Sequence, residues 1–211
     1  MVLTGLTGCG AGPARHAYPV HHNIIATVFW VGEPPTADDG YIGNDASAWD
    51  DRWRQHFGGV DDPGRRQHGG YWPAGFHPRE NPFYCALPYQ EFTDAGDLRP
   101  DVGKVYWYDR HHPPAADQSI LAGRWVRVSA NGRTGYAQWA DVGPFQTDDV
   151  DYVFGTRPAA DRRAGIDLSP AAARFLGVPG RGRVSWQFVD ADHVPAGPWT
   201  EIVTPPGAPV G

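Results

Sequence analysis

Apolar and polar positions alternate in short runs along most of this chain, and Gly or Pro breaks each run before a long helix can form. Residues 23–32 (NIIATVFWVG) make the first strong run; β-branched and aromatic side chains predict a strand there. Residues 81–89 (NPFYCALPY) form a second apolar element, closed by Pro88. Residues 104–108 (KVYWY) predict a further strand. The last third is the most regular. Residues 124–129 (RWVRVS) and 134–140 (TGYAQWA) flank Asn131-Gly132, a dipeptide suited to a tight hairpin. Residues 184–189 (VSWQFV) alternate once more.

Two helices stand out against this background. Residues 47–58 predict one, with Ser47 as cap and Gly58 as stop. Trp49, Trp53 and Phe57 then recur four apart and share a face that packs on the rest of the fold. The second has Ser169 as cap, Pro170 in its first turn and Gly177 at its end, with Ala172, Phe175 and Leu176 as a core stripe. Residues 1–22 read as a tether without period, and residues 195–211 as a loosely held Pro-rich tail. Between them, residues 23–194 make one domain, with an insertion at 45–120 and an acidic loop at 146–164.

Composition narrows the function classes. The 211 residues carry a net charge of −6 with no basic block, which excludes the clustered positive footprint of a nucleic-acid binder. Nine Trp and nine Tyr offer flat, rigid rings of the kind that stack on sugars, although most such rings belong to cores. The His21-His22 pair has no third ligand nearby and reads as a surface pair, so neither a metal nor a cofactor is expected. Cys9 and Cys85 do not make a disulfide framework; where Cys9 serves as a lipid-attachment point, Cys85 is left as a lone buried thiol.

The candidate chemistry lies in two acids at chain junctions. Asp141 ends an apolar run before Gly143-Pro144, and Asp167 stands just ahead of a helix start. Such residues serve either as structural turn and cap acids or as a pair for acid/base work on a sugar linkage; the local sequence leaves both open. Trp139 and Phe145 flank Asp141 and are apolar enough to raise its pKa. Asp50 is a candidate second carboxylate.

The order of motifs resembles the double-psi β-barrel domain of rare-lipoprotein-A-like proteins, relatives of expansins, barrel endoglucanases and lytic transglycosylases. The residues that carry it are Phe29-Trp30, Leu87-Pro88-Tyr89, Val126-Arg127-Val128 with Asn131-Gly132-Arg133, residues 141–145 (DVGPF), residues 166–173 (IDLSPAAA), and Leu176-Gly177 with the glycines at 180 and 182. It is fullest over 124–190 and thinner over 24–32 and 81–89. Three departures stand out: Val142 replaces an arginine, Tyr84 replaces a histidine of the family's proposed site, and the loop at 146–164 lengthens the spacing from Asp141 to Asp167.

The resemblance implies a mainly β fold, a six-stranded double-psi barrel with short helices and a long inserted loop region. It also implies a cell-envelope protein acting on a polysaccharide, peptidoglycan first, with lytic-transglycosylase-like or glycosidase-like cleavage and Asp141, Asp167 and Asp50 as acid/base candidates. Trp30, Tyr84, Tyr89, Trp139 and Phe145 would line the groove. The alternative is a non-catalytic, expansin-like binding module; the replaced histidine favours it. Residues 6–10 (LTGCG) resemble a lipobox, giving Cys9 as a lipid-attachment point on an exported monomer whose membrane contact is that anchor.

Overall fold

The structure is a computed structural model, and it describes residues 18–37, 43–67, 70–115 and 118–206. Six strands, β1 (His21–Val28), β2 (Tyr84–Leu87), β3 (Trp125–Ala130), β4 (Arg133–Val142), β5 (Ile166–Leu168) and β6 (Gly182–Val189), close into a barrel in the order β1-β5-β2-β4-β3-β6. The mainly β, six-stranded closed architecture is the one the motifs imply. The pairs β1–β5 and β2–β4 are parallel, and β5 lies antiparallel to β2 between the two. Three short helices decorate the barrel: α1 (Trp53–Phe57), α2 (Val150–Val153) and α3 (Pro170–Leu176).

Alternation along the strands builds the interior. Ala26, Cys85, Leu87, Val126, Val128, Ala137, Trp139, Ile166, Leu168, Val184, Trp186 and Phe188 belong to one buried cluster. The β3–β4 hairpin turns at Asn131-Gly132 as expected, with both residues at positive φ. α3 also follows its signals: Ser169 accepts a hydrogen bond from the Ala172 amide, Pro170 opens the helix, and Gly177 closes it at φ 68°. Cys85 is a free, buried thiol, and burial raises its pKa.

Several local expectations give way to tertiary demands. The helix expected at 47–58 is α-helical only from Trp53. Upstream, the Ala48 amide donates to Asp141 and the Trp49 indole donates to the buried Glu91, so that segment follows its partners instead of a helical ladder. Trp49 therefore joins the barrel interior while Trp53 and Phe57 join a second cluster outside it. Residues 104–108 are not a strand. Val102–Lys104 is a 3₁₀ turn, and Tyr106 and Trp107 pack edge-on against Phe154 and Phe188.

The surface reading of the His pair holds for exposed His22 but not for His21, which is buried and stacked on Trp186 at 4.1 Å between ring centres. The described residues next to the two chain ends are hydrogen-bonded to the barrel. Tyr18 donates to Asp190, and Asn81 and Gln138 hydrogen-bond to backbone at Trp199 and Thr204. The acidic loop is part of the packing too: Tyr152 is fully buried and donates to the Gly165 carbonyl.

Candidate functional site

Register decides what the acids can do together. On β2, Ala86 lies opposite Asp167 of β5 on one side and opposite Asp141 of β4 on the other. Thr27 of β1 lies opposite Asp167 in turn. Thr27, Asp167, Ala86 and Asp141 thus form one row across adjacent strands, and cross-strand partners in register share a face. That face is the outer one, because Ala86 packs in the cluster of Phe29, Val31, Trp53, Phe57 and Tyr84 while its neighbours Cys85 and Leu87 point inward. Strand spacing of about 4.8 Å puts the two acid backbones about 10 Å apart across Ala86.

A β-bulge makes this possible. The β2–β4 register shifts between Cys85 and Ala86, from Cys85 opposite Trp139 to Ala86 opposite Asp141. Strict alternation would send Asp141 inward with Trp139. The extra residue, Ala140, reverses the parity, so Asp141 emerges beside Ala86.

The acids differ in their surroundings. Asp141 is 9% exposed, and its Oδ1 accepts from the amides of Ala48 and Val142, each at 2.8 Å. Burial pushes its carboxyl up to about 7; the two amides oppose the rise and the charge of Asp167 adds to it. Asp167 is half-buried, and burial pushes it up to about 6 against a hydrogen bond donated by Thr27. The pair therefore gives up its protons in coupled steps near neutral pH, and a carboxylic acid is available there as a donor. Cβ placed on Gly143 would lie 3.9 Å from Oδ2 of Asp167, so that oxygen borders the Gly143–Phe145 turn. Phe145 on this turn is 42% exposed, and the Arg163 guanidinium lies 3.7 Å from its ring centre.

The third acid is engaged elsewhere. Asp50 pairs with His56 at 2.7 Å and accepts from the Arg52 amide. Its charge helps to raise Glu80, which burial first pushes up, to about 7.

Of the rings expected to line a groove, three cannot. Trp139 points into the barrel against Trp49, Phe154 and Phe188. Tyr89 is buried against Phe154 with its hydroxyl on Asp101. Tyr84 faces outward but is covered by Phe29, Trp53 and Phe57. Its hydroxyl donates to Asp61 at 2.9 Å and accepts from the Val31 amide, so it holds structure and presents no surface to a sugar. Trp30 is half-buried and Phe145 remains open. Cys9 lies outside the described residues. Thr27 and Glu80 were missed by sequence reasoning; neither sits in a motif, and only strand pairing and loop packing bring them to these acids.

The raised Asp141 makes stability pH-dependent. In the unfolded chain its pKa is near 3.8, and in the fold about 7. The native state then holds the extra proton between those values, so this group's contribution to stability falls as pH rises from about 4 to about 7, on the order of a few kcal/mol in all. His21 acts oppositely: burial lowers it to about 4, so its contribution is lost as pH falls from about 6.5 to about 4. The difference between wild type and Asp141→Asn isolates the first effect. Urea denaturation at several pH values is expected to show the variant gaining on wild type as pH rises through that window. A difference independent of pH would remove the buried-acid assignment.

No family model matches this chain, and no curated protein matches it. Among solved structures it is similar to the Streptomyces papain inhibitor (SPI), at 18% identity over 82% of this chain and 96% of that one, with a TM-score of 0.32. A likeness this shallow carries no inference about activity or partners, and the barrel stands on its own strand pairing. Among the described residues no helix is long and apolar enough to cross a membrane.

Proposed function

We propose that this protein cleaves β-1,4-linked glycan strands, peptidoglycan first among them, in the manner of a lytic transglycosylase. The observation that carries the reading is the row in which Asp167 and Asp141, both raised toward neutral pH, flank Ala86 on one outer face of the barrel. Asp167 is the acid in this reading, because it is the more exposed of the two and its Oδ2 borders the turn that carries Phe145. It gives its proton to the glycosidic oxygen as the bond from that oxygen to the anomeric carbon breaks. The carboxylate so formed takes the proton from the sugar's own hydroxyl as that hydroxyl closes on the anomeric carbon, and the acid is restored. Asp141 stays sealed under Ala48 and is the later of the two to ionise; burial, not a charged neighbour, is what keeps the proton on Asp167. Phe145 is partly exposed for contact with a sugar, with the Arg163 guanidinium lying over its ring.

Burial of Tyr84, Tyr89 and Trp139 removes most of the flat surface that a purely adhesive module would use, which weighs toward chemistry. The double amide grip on Asp141 weighs the other way, toward an expansin-like, non-catalytic barrel. Purified protein incubated with sacculi separates the two: the cleavage reading expects soluble muropeptides with anhydro ends. Retention on sacculi with no released fragment would establish the adhesive reading in its place. Export to the envelope, with Cys9 as lipid anchor, belongs to the same proposal.

A further inference from the structure

A second cluster of chemistry lies on the segment that covers β2 and β4. Asp50 in the loop before α1, His56 within α1, and Glu80 ahead of β2 bring a carboxylate oxygen, an imidazole nitrogen and a second carboxylate oxygen together, all within 4.8 Å of one another. We propose that Asp50, His56 and Glu80 form a binding site for a divalent transition-metal ion of the zinc type.

The donor set and its setting point the same way. Nδ1 of His56 and Oδ2 of Asp50 are 2.7 Å apart. Bonds of about 2.0–2.1 Å at tetrahedral angles hold two ligand atoms about 3.3 Å apart, so an ion enters this pair with a sub-ångström opening. The carboxylates are already oriented by donors outside the cluster: the Arg52 amide on Oδ1 of Asp50 at 2.9 Å, and the Trp53 indole N–H on Oε2 of Glu80 at 3.1 Å. Outer partners of this kind fix ligand geometry and tune affinity. One nitrogen and two carboxylates suit zinc, cobalt or nickel; calcium and magnesium prefer all-oxygen cages. The His56 side chain is 43% exposed and that of Asp50 18%, so an ion has a path in and a fourth position is left for water.

Such an ion would act as a clip. Asp50 and Glu80 are thirty residues apart in sequence, and a shared ligand closes that loop. It would also pin the segment whose Ala48 amide holds Asp141.

The test uses untagged full-length protein, Zn²⁺ in calorimetry, and Co²⁺ as a visible-absorption probe. One ion per chain is expected, with a rise in melting temperature and cobalt d–d bands. His56→Ala and Glu80→Gln are each expected to weaken binding by at least 10-fold, and Asp192→Asn, in the separate Asp190, Asp192 and His193 group, to leave it unchanged. Glu80→Gln retains an acceptor for Trp53, and circular dichroism checks that each variant is folded. Equal Zn²⁺ affinity in wild type and His56→Ala, or no binding in wild type, overturns the site and leaves Asp50–His56 as an ordinary ion pair. Because the readout is metal binding, its failure is separate from any failure of the sacculus assay.

Discussion

Asp167→Asn is expected to lower fragment release from sacculi by about 10²–10⁴-fold, the range by which a positioned proton donor accelerates such a step. The substitution keeps an oxygen for the Thr27 hydroxyl and the size of the side chain, so folding should survive. What it removes is the proton, and with it both halves of the cycle. The pH profile gives an independent sign. Cleavage begins from the protonated acid, so wild-type activity should fall as pH rises through the values of about 6 and about 7 at which the pair ionises. Unchanged release by Asp167→Asn, in protein whose circular dichroism and urea midpoint match wild type, would end the assignment. A profile rising with pH across that range would end it equally.

The largest stability effect should come from Asp61→Ala. Asp61 is fully buried, and its carboxylate bonds to the Arg66 guanidinium, itself 5% exposed, and to the Tyr84 hydroxyl. Burial pushes Asp61 up to about 6 even with Arg66 opposing the rise. Removing the carboxylate leaves a buried cation without its counter-charge, and breaking such a pair costs about 3–5 kcal/mol. The Tyr84 hydroxyl loses its acceptor in the same change. Urea denaturation should therefore show a large drop in midpoint at constant slope. Replacing both partners, as in Asp61→Leu with Arg66→Met, should recover most of the loss, because the uncompensated charge goes with its partner. A cost below about 1 kcal/mol for Asp61→Ala would mean that water or another acceptor serves Arg66, and that the pair does not anchor this part of the fold.

Short-range signals were legible wherever a few neighbouring residues settle the backbone. Asn131-Gly132 makes the hairpin turn because both positions adopt positive φ, and Ser169, Pro170 and Gly177 bound α3 as their chemistry requires. The signals failed where distant partners outbid them. Ser47 still accepts from the Asp50 amide, yet no helix starts there, since Ala48 donates to Asp141, ninety-three residues away. Tyr84 and Tyr89 read as groove residues from sequence; only the covering rings and the distant acceptors Asp61 and Asp101 reveal them as anchors.

By itself the sequence favoured short strands over long helices, through alternation and turn chemistry, carried the motifs whose resemblance implied a closed barrel, and singled out Asp141 and Asp167 as the acids to watch. The tertiary structure decided that they share a face. Two choices made this so: β5 pairing between β1 and β2, and one extra residue at Ala140 that turns Asp141 out of the core. Neither is local. Pairing order and register follow from how all six strands bury their inner faces at once, and a shift of one residue sends a side chain to the opposite side of the barrel wall.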